Sequence, residues 1–206
     1  MISIYQLKPG FQNLLRPWVQ RWYERGVTAN QVTLGACVAS LLVGGLVAAF
    51  ASHPWVFFLI PLWMLLRMAL NAVDGMLARE FSQQSSLGAY LNELTDVIAD
   101  TALILPFAFV AGVSPWPVAG VILLAIFTEY AGVLGLMVGA SRRYDGPMGK
   151  SDRAFCLGLL GIAVALGWVT SVWIEGVLLV LCALLLYTLF NRVRQGLAEG
   201  AGNSHQ

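Results

Sequence analysis

Residues 71–100 read NAVDGMLAREFSQQSSLGAYLNELTDVIAD, and the chain is apolar on both sides of them. This stretch decides the fold because it places Asn71, Asp74, Arg79, Asn92, Asp96 and Asp100 where lipid-buried helices are expected. A charged side chain at the centre of a membrane helix costs about 2.5–3.5 kcal/mol on insertion scales, so carboxylates kept there mark function more often than packing.

The surrounding composition sets the medium. The chain has 206 residues, 58% hydrophobic and 11% charged, with a mean hydropathy of +0.74. Soluble domains are about 25% charged and 45–50% apolar, so the sequence reads as an all-α integral membrane protein. Apolar runs at 30–50, 56–79, 87–112, 116–140, 154–170 and 174–191 give six expected spans. Most can cross a hydrocarbon core of about 30 Å, the fifth only marginally. They form one membrane domain, residues 1–195, with no room for an extramembrane one. Residues 196–206 are polar and Gly-rich and are expected to be a disordered tail.

Ahead of the spans, residues 11–25 (FQNLLRPWVQRWYER) alternate apolar and basic positions, the pattern of an amphipathic helix lying at the interface. The first twelve residues lack the continuous apolar core of a signal peptide. Cys37, Cys156 and Cys182 sit in apolar stretches without metal-ligand spacing, so they read as free core residues.

Charge distribution gives the orientation. Lys8, Arg16, Arg21, Arg25, Arg79, Arg142, Arg143, Lys150, Arg153, Arg192 and Arg194 fall at one face, while the connections near 51–55, 112–117 and 170–175 hold no Lys or Arg. The positive-inside rule then places both termini and the Asp74–Asp96 region in the cytoplasm.

Within the spans the polar residues are in register. Arg67, Asn71, Asp74 and Ala78 share one helical stripe, and Gly88, Asn92, Asp96 and Asp100 share another. Antiparallel neighbours joined through residues 80–86 can turn these stripes toward each other. Oxygen donors from Asn71, Asp74, Asn92 and Asp96 then suit a hard divalent cation such as Mg²⁺. Gly75 and Gly88 leave space for a nucleotide or phosphate beside the backbone. Arg67 and Asp100 each lie one turn, about 6 Å, deeper than their stripe partners, so they read as an intramembrane ion pair. Glu129 is mid-span: either it hydrogen-bonds in its protonated form within the bundle, or it faces the acceptor cavity.

These residues resemble the signature of the CDP-alcohol phosphatidyltransferase family, Asp-x2-Asp-Gly-x2-Ala-Arg-x8-Gly-x3-Asp-x3-Asp. Asp74, Gly75, Ala78, Arg79, Gly88 and Asp96 match it at the family spacing, and the Thr28–Thr33 start of the first span resembles the family too. Asn71 and Asn92 stand where the pattern has aspartate. The resemblance implies attack of a small polar alcohol on CDP-diacylglycerol at the membrane, releasing CMP in phospholipid biosynthesis. It implies that Asp96 is the catalytic base and that Asn71, Asp74, Asn92 and Asp96 hold Mg²⁺ or Mn²⁺. With two carboxylates missing, cation affinity falls or one of two ion sites is lost. It also implies a CDP-substrate surface of Asn30, Thr33, Gly75, Ala78, Arg79, Ser85 and Gly88, with Glu129, Lys150 and Arg153 toward the acceptor. Arg142 and Arg143 are expected to serve topology and lipid headgroups. A homodimer in a bacterial inner membrane is implied, with membrane lipid as a partner and no nucleic acid. Two other readings remain: a small-solute transporter, which this unrepeated chain fits less well, and a weak or silent relative acting as an assembly partner.

Overall fold

The structure, a computed structural model, describes residues 4–203, with side chains from Phe11 onward; Lys8's side chain and residues 204–206 fall outside that description. Among the described residues there are seven α-helices and no strand. They are α1 (Ile4–Glu24), α2 (Ala29–Ala49), α3 (Leu59–Glu80), α4 (Ser86–Ile104), α5 (Pro115–Leu134), α6 (Lys150–Ala165) and α7 (Ser171–Asn203).

Local chemistry explains where they start. Thr28 and Gln31 form a reciprocal capping box at the head of α2, where the Ala29 N–H also donates to the Gln83 side chain at 2.7 Å. Ser85 caps α4 by accepting from the Gly88 N–H at 2.9 Å. Proline opens α5, and a tight turn at Pro54–Phe58 leads into α3.

Among the described residues, four helical stretches are long and apolar enough to cross a membrane: Ala29–Ala49, Pro54–Glu80, Pro115–Val138 and Ser171–Asn203. That is two fewer than the six spans expected. α4 falls short because it carries Glu93, Asp96 and Asp100, and α6 because it has 16 residues and opens on Lys150, Asp152 and Arg153. The segment expected to lie at the interface is helical, starting earlier than residue 11 and running as α1 from Ile4 to Glu24. The tail is a correction. Residues 196–203 are helical rather than disordered, because α7 continues to Asn203 against the connection between α5 and α6.

α2 packs on α3 and α4, α5 on α7, and α3 on α6. Gly44 makes the α2–α4 contact possible, since a Cβ there would overlap the Ala102 carbonyl. One apolar cluster gathers Phe57, Ile60, Leu103, Phe107, Val121, Leu160 and Leu178, with the Phe57 and Phe107 rings 5.3 Å apart. A second ties α1 to α2 and α3 through Val19, Ala29, Val32, Val73, Met76 and Leu77. Arg67 lies on α3 between Met64 of the first cluster and Val73 of the second, so the polar site is sandwiched along that helix.

Candidate active site

Both polar stripes reach a common site, but their members do different things there. Asp74 is buried, and Thr33 Oγ1 on α2 donates to its Oδ2 at 2.9 Å. Asn30 and Ser85 converge on Gly88: a Cβ on that glycine would stand 2.9 Å from Asn30 Oδ1 and 3.0 Å from Ser85 Oγ. A larger residue at 88 would have to push both polar groups aside. Arg79 folds back on Gly75, where a Cβ would meet its Nη2 at 2.8 Å; among the described residues its guanidinium has no hydrogen-bond partner. Ala78 is half-buried. It packs against the apolar cluster under α1.

Asp96 lies within Coulombic reach of Asp74 and is engaged by two cations. Lys150 Nζ stands 2.5 Å from Asp96 Oδ1, and Arg67 Nη2 3.1 Å from the same atom. Arg67 also pairs with Asp100, as the matching depths lead one to expect. It was not expected that Asp100 has a second partner, Arg153 Nη2 at 2.8 Å. Arg153 continues to Glu129 at 3.0 Å, and Glu129 also meets Arg142 at 3.1 Å and Arg192 at 3.4 Å. Arg142 closes the chain on Glu93 with two hydrogen bonds of 2.6 Å. Five cations and four carboxylates from five helices and one loop thus form a single network.

Glu129 accepts hydrogen bonds within the bundle from Arg142 and Arg153, lines a small cavity with Arg153 and Asp100, and is the hub of three arginines. Arg142 departs from expectation. It turns inward to Glu93 and Glu129 while Tyr144 covers it, the guanidinium carbon 4.3 Å from the ring centre. Burial works against its charge, but the Glu93 hydrogen bonds and the neighbouring carboxylates outweigh this and hold its pKa above the ordinary arginine value. Arg143 likewise binds protein rather than headgroups, gripping Asp145 at 2.7 and 2.9 Å. Those hydrogen bonds hold the Asp145 carboxyl below the usual carboxylate range. From the sequence Arg192 reads only as a positive-inside charge and Glu93 is not singled out, because their partners lie far away in the chain and leave no local spacing.

Two buried donors in this network, Arg142 Nη1 and Arg153 Nε, have no acceptor. Buried polar groups are normally satisfied, so unmatched arginine donors suit an anionic oxygen. Between α3 and α6 a cavity of 140 Å³ is lined by Met64, Arg67, Met68, Asn71, Lys150, Ser151 and Ala154.

The donor chemistry for a cation is all oxygen. Asn71 and Asp74 lie on α3, and Asn92 and Asp96 on α4; neither asparagine side chain has a hydrogen-bond partner among the described residues. No group of three or more His, Cys, Asp or Glu gathers as a metal centre among those residues. Two carboxylates with two amide carbonyls fit one hard divalent ion, whose charge they balance.

Comparison with known proteins agrees with this architecture. Residues 26–188 match the CDP-alcohol phosphatidyltransferase family. The chain is 46% identical over 200 residues to the inner membrane protein YnbA of Escherichia coli, covering 97% of this chain and 99% of that protein. It is 32% identical over 123 residues to an archaetidylinositol phosphate synthase of Aeropyrum pernix, covering 57% of this chain and 63% of that one. Its fold is similar to the Mycobacterium tuberculosis phosphatidylinositol phosphate synthase solved with manganese and citrate, with a TM-score of 0.73, 16% identity and 87% of each chain covered. The chain, a multi-pass inner-membrane enzyme, belongs to the CDP-alcohol phosphatidyltransferase family.

Proposed function

We propose that this enzyme transfers the phosphatidyl group of CDP-diacylglycerol to the hydroxyl of a small phosphorylated alcohol, releasing CMP. The observation that carries the acceptor class is the cavity between α3 and α6, which Arg67 and Lys150 line with two cationic side chains. A phosphate would pair with those two cations, whereas a neutral alcohol offers them no negative charge. The relative from Aeropyrum is named for an inositol phosphate product, which supports the same class.

In this reading the acceptor oxygen attacks the β-phosphorus, its bond to phosphorus forms as the pyrophosphate bond breaks, and CMP leaves with the bridging oxygen. Asp96 takes the hydroxyl proton. Its two ion pairs hold the carboxylate in place, and Lys150 is positioned to meet the acceptor phosphate next to that base. Asn30, Ser85 and Gly88 line the cytidine end, Gly75 gives the backbone access that Arg79 uses to approach phosphate, and Thr33 orients Asp74. Asn71, Asp74, Asn92 and Asp96 would hold one Mg²⁺ or Mn²⁺. A bound cation neutralises charge on the transferring phosphoryl group and leaving CMP.

The same proposal includes the topology. α4 and α6 cross with the other four spans, their charges turned into the bundle; α1 lies at the interface; both termini are cytoplasmic. Homodimerisation is part of this reading by likeness to the family.

The deciding experiment incubates purified protein with CDP-diacylglycerol and, separately, inositol 1-phosphate, glycerol 3-phosphate, inositol, glycerol and serine. Metal-dependent CMP release with the phosphorylated acceptors is expected. Release with the neutral acceptors alone overturns the acceptor class. Absence of release with all of them favours a silent assembly partner, a reading that the double ion pairing of Asp96 also suits.

A further inference from the structure

The last two turns of α7 hold the connection between α5 and α6 in an unusual way. Residues 196–203 read GLAEGAGN, a composition poor in helix formers because each glycine gives up about 1 kcal/mol relative to alanine. Tertiary contacts must therefore keep this segment helical. Gly196 and Gly200 are buried, and a Cβ on Gly200 would overlap the Val138 carbonyl. Beside them, Glu199 Oε1 accepts from the Ser141 N–H at 2.9 Å, while its Oε2 accepts from the Ser141 hydroxyl at 3.1 Å and pairs with Arg143. Asn203 Nδ2 donates to the Gly139 carbonyl at 2.8 Å.

The connection is pinned along its whole length. Arg143 N donates to Gly132 O at 3.0 Å, folding the loop back on the end of α5. Gly146 has φ +118°, a conformation side chains rarely adopt, and a Cβ there would stand 2.6 Å from the Thr188 side chain. Met148 N donates to Thr188 Oγ1 at 3.1 Å, and α6 begins two residues later on Lys150. Arg142 fastens the inner side of the loop to Glu93 and Glu129.

We infer that residues 196–203 are a positioning element: by clamping loop 139–149 through Glu199 and Asn203, they set Lys150 and Arg153 for the anionic end of the acceptor. The inference rests on the acceptor chemistry proposed above. Glu199 touches no reacting group. It acts through Ser141 and Arg143.

The test uses the full-length chain in detergent with Glu199→Ala, Asn203→Ala and the conservative Glu199→Asp. Two readouts are followed: hydrogen exchange of the amides in 139–149, and affinity for inorganic phosphate by calorimetry. Glu199→Ala should speed exchange in that loop and weaken phosphate binding by about fivefold, Asn203→Ala should act in the same direction with a smaller effect, and Glu199→Asp should recover part of both. Should Glu199→Ala fail to fold, the Asn203→Ala comparison, which removes one hydrogen bond, decides the same question. Exchange unchanged from wild type, or faster exchange with wild-type phosphate affinity, overturns the inference, as does a wild-type protein that binds no phosphate. Failure of the functional reading looks different: the wild type binds phosphate, the variants respond as expected, and no acceptor yields CMP.

Discussion

Lys150, the first residue of α6, places its Nζ 2.5 Å from Asp96 Oδ1 on α4. Arg67 reaches the same oxygen from α3, so the carboxylate read as the base is held by cations from two other helices. Asp96→Asn keeps the shape but loses the proton acceptor, so CMP release should fall by about 10²-fold or more while detergent melting stays near wild type. Unchanged turnover in a folded Asp96→Asn protein would remove Asp96 from the chemistry.

Lys150→Gln separates the two jobs of that ammonium. It should raise KM for a phosphorylated acceptor by about tenfold, as loss of a charge-assisted contact does, and leave KM for CDP-diacylglycerol near wild type. Equal rises in both constants would mean that Lys150 only supports Asp96.

Asn71→Asp with Asn92→Asp adds two full charges to the oxygen donors on α3 and α4. The Mg²⁺ concentration for half-maximal activity should drop, and calorimetry of the protein alone should show tighter binding. A double variant that needs as much metal as wild type places these positions outside the coordination shell.

Glu129 is the one carboxylate paired with Arg192 among the described residues, while its other two arginines keep Glu93 and Asp100; Arg67 and Asp100 each leave behind only partners that have another counter-charge. Glu129→Gln should therefore be the most damaging charge removal in the bundle, about 3–5 kcal/mol, the range for breaking a buried pair from one side. Arg67→Met should be milder, because Asp96 keeps Lys150 and Asp100 keeps Arg153. Melting in detergent ranks them; an Arg67→Met loss as large as that of Glu129→Gln contradicts the shared network.

Gly44 and Gly45 form an internal control. A Cβ on Gly44 meets the Ala102 backbone, and one on Gly45 meets nothing within 4 Å. Gly44→Ala should destabilise by about 1–3 kcal/mol by forcing α2 from α4. Gly45→Ala should be neutral or stabilising by up to about 1 kcal/mol. Similar melting shifts for the two would refute the close α2–α4 crossing.

What could be read from the chain by itself was whatever depends on near neighbours. The apolar lengths, the spacing of Asp74 and Gly75 on α3 and that of Gly88 and Asp96 on α4 all follow from geometry along one helix. Arg67 and Asp100 were legible too, because equal depth on antiparallel helices is a one-dimensional inference. The remaining pairings needed the tertiary structure. Glu129 finds Arg153 and Arg192 only once α5, α6 and α7 have a definite rotation about their axes, and no sequence spacing encodes that rotation. Arg142 turns inward because Glu93 and Glu129 offer two carboxylates where the surface offers water. For the same reason residues 196–203, glycine-rich and polar, become helix: their order comes from the Ser141, Arg143 and Gly139 contacts of a loop far away in sequence. Local propensity argues against that helix, and packing decides in its favour.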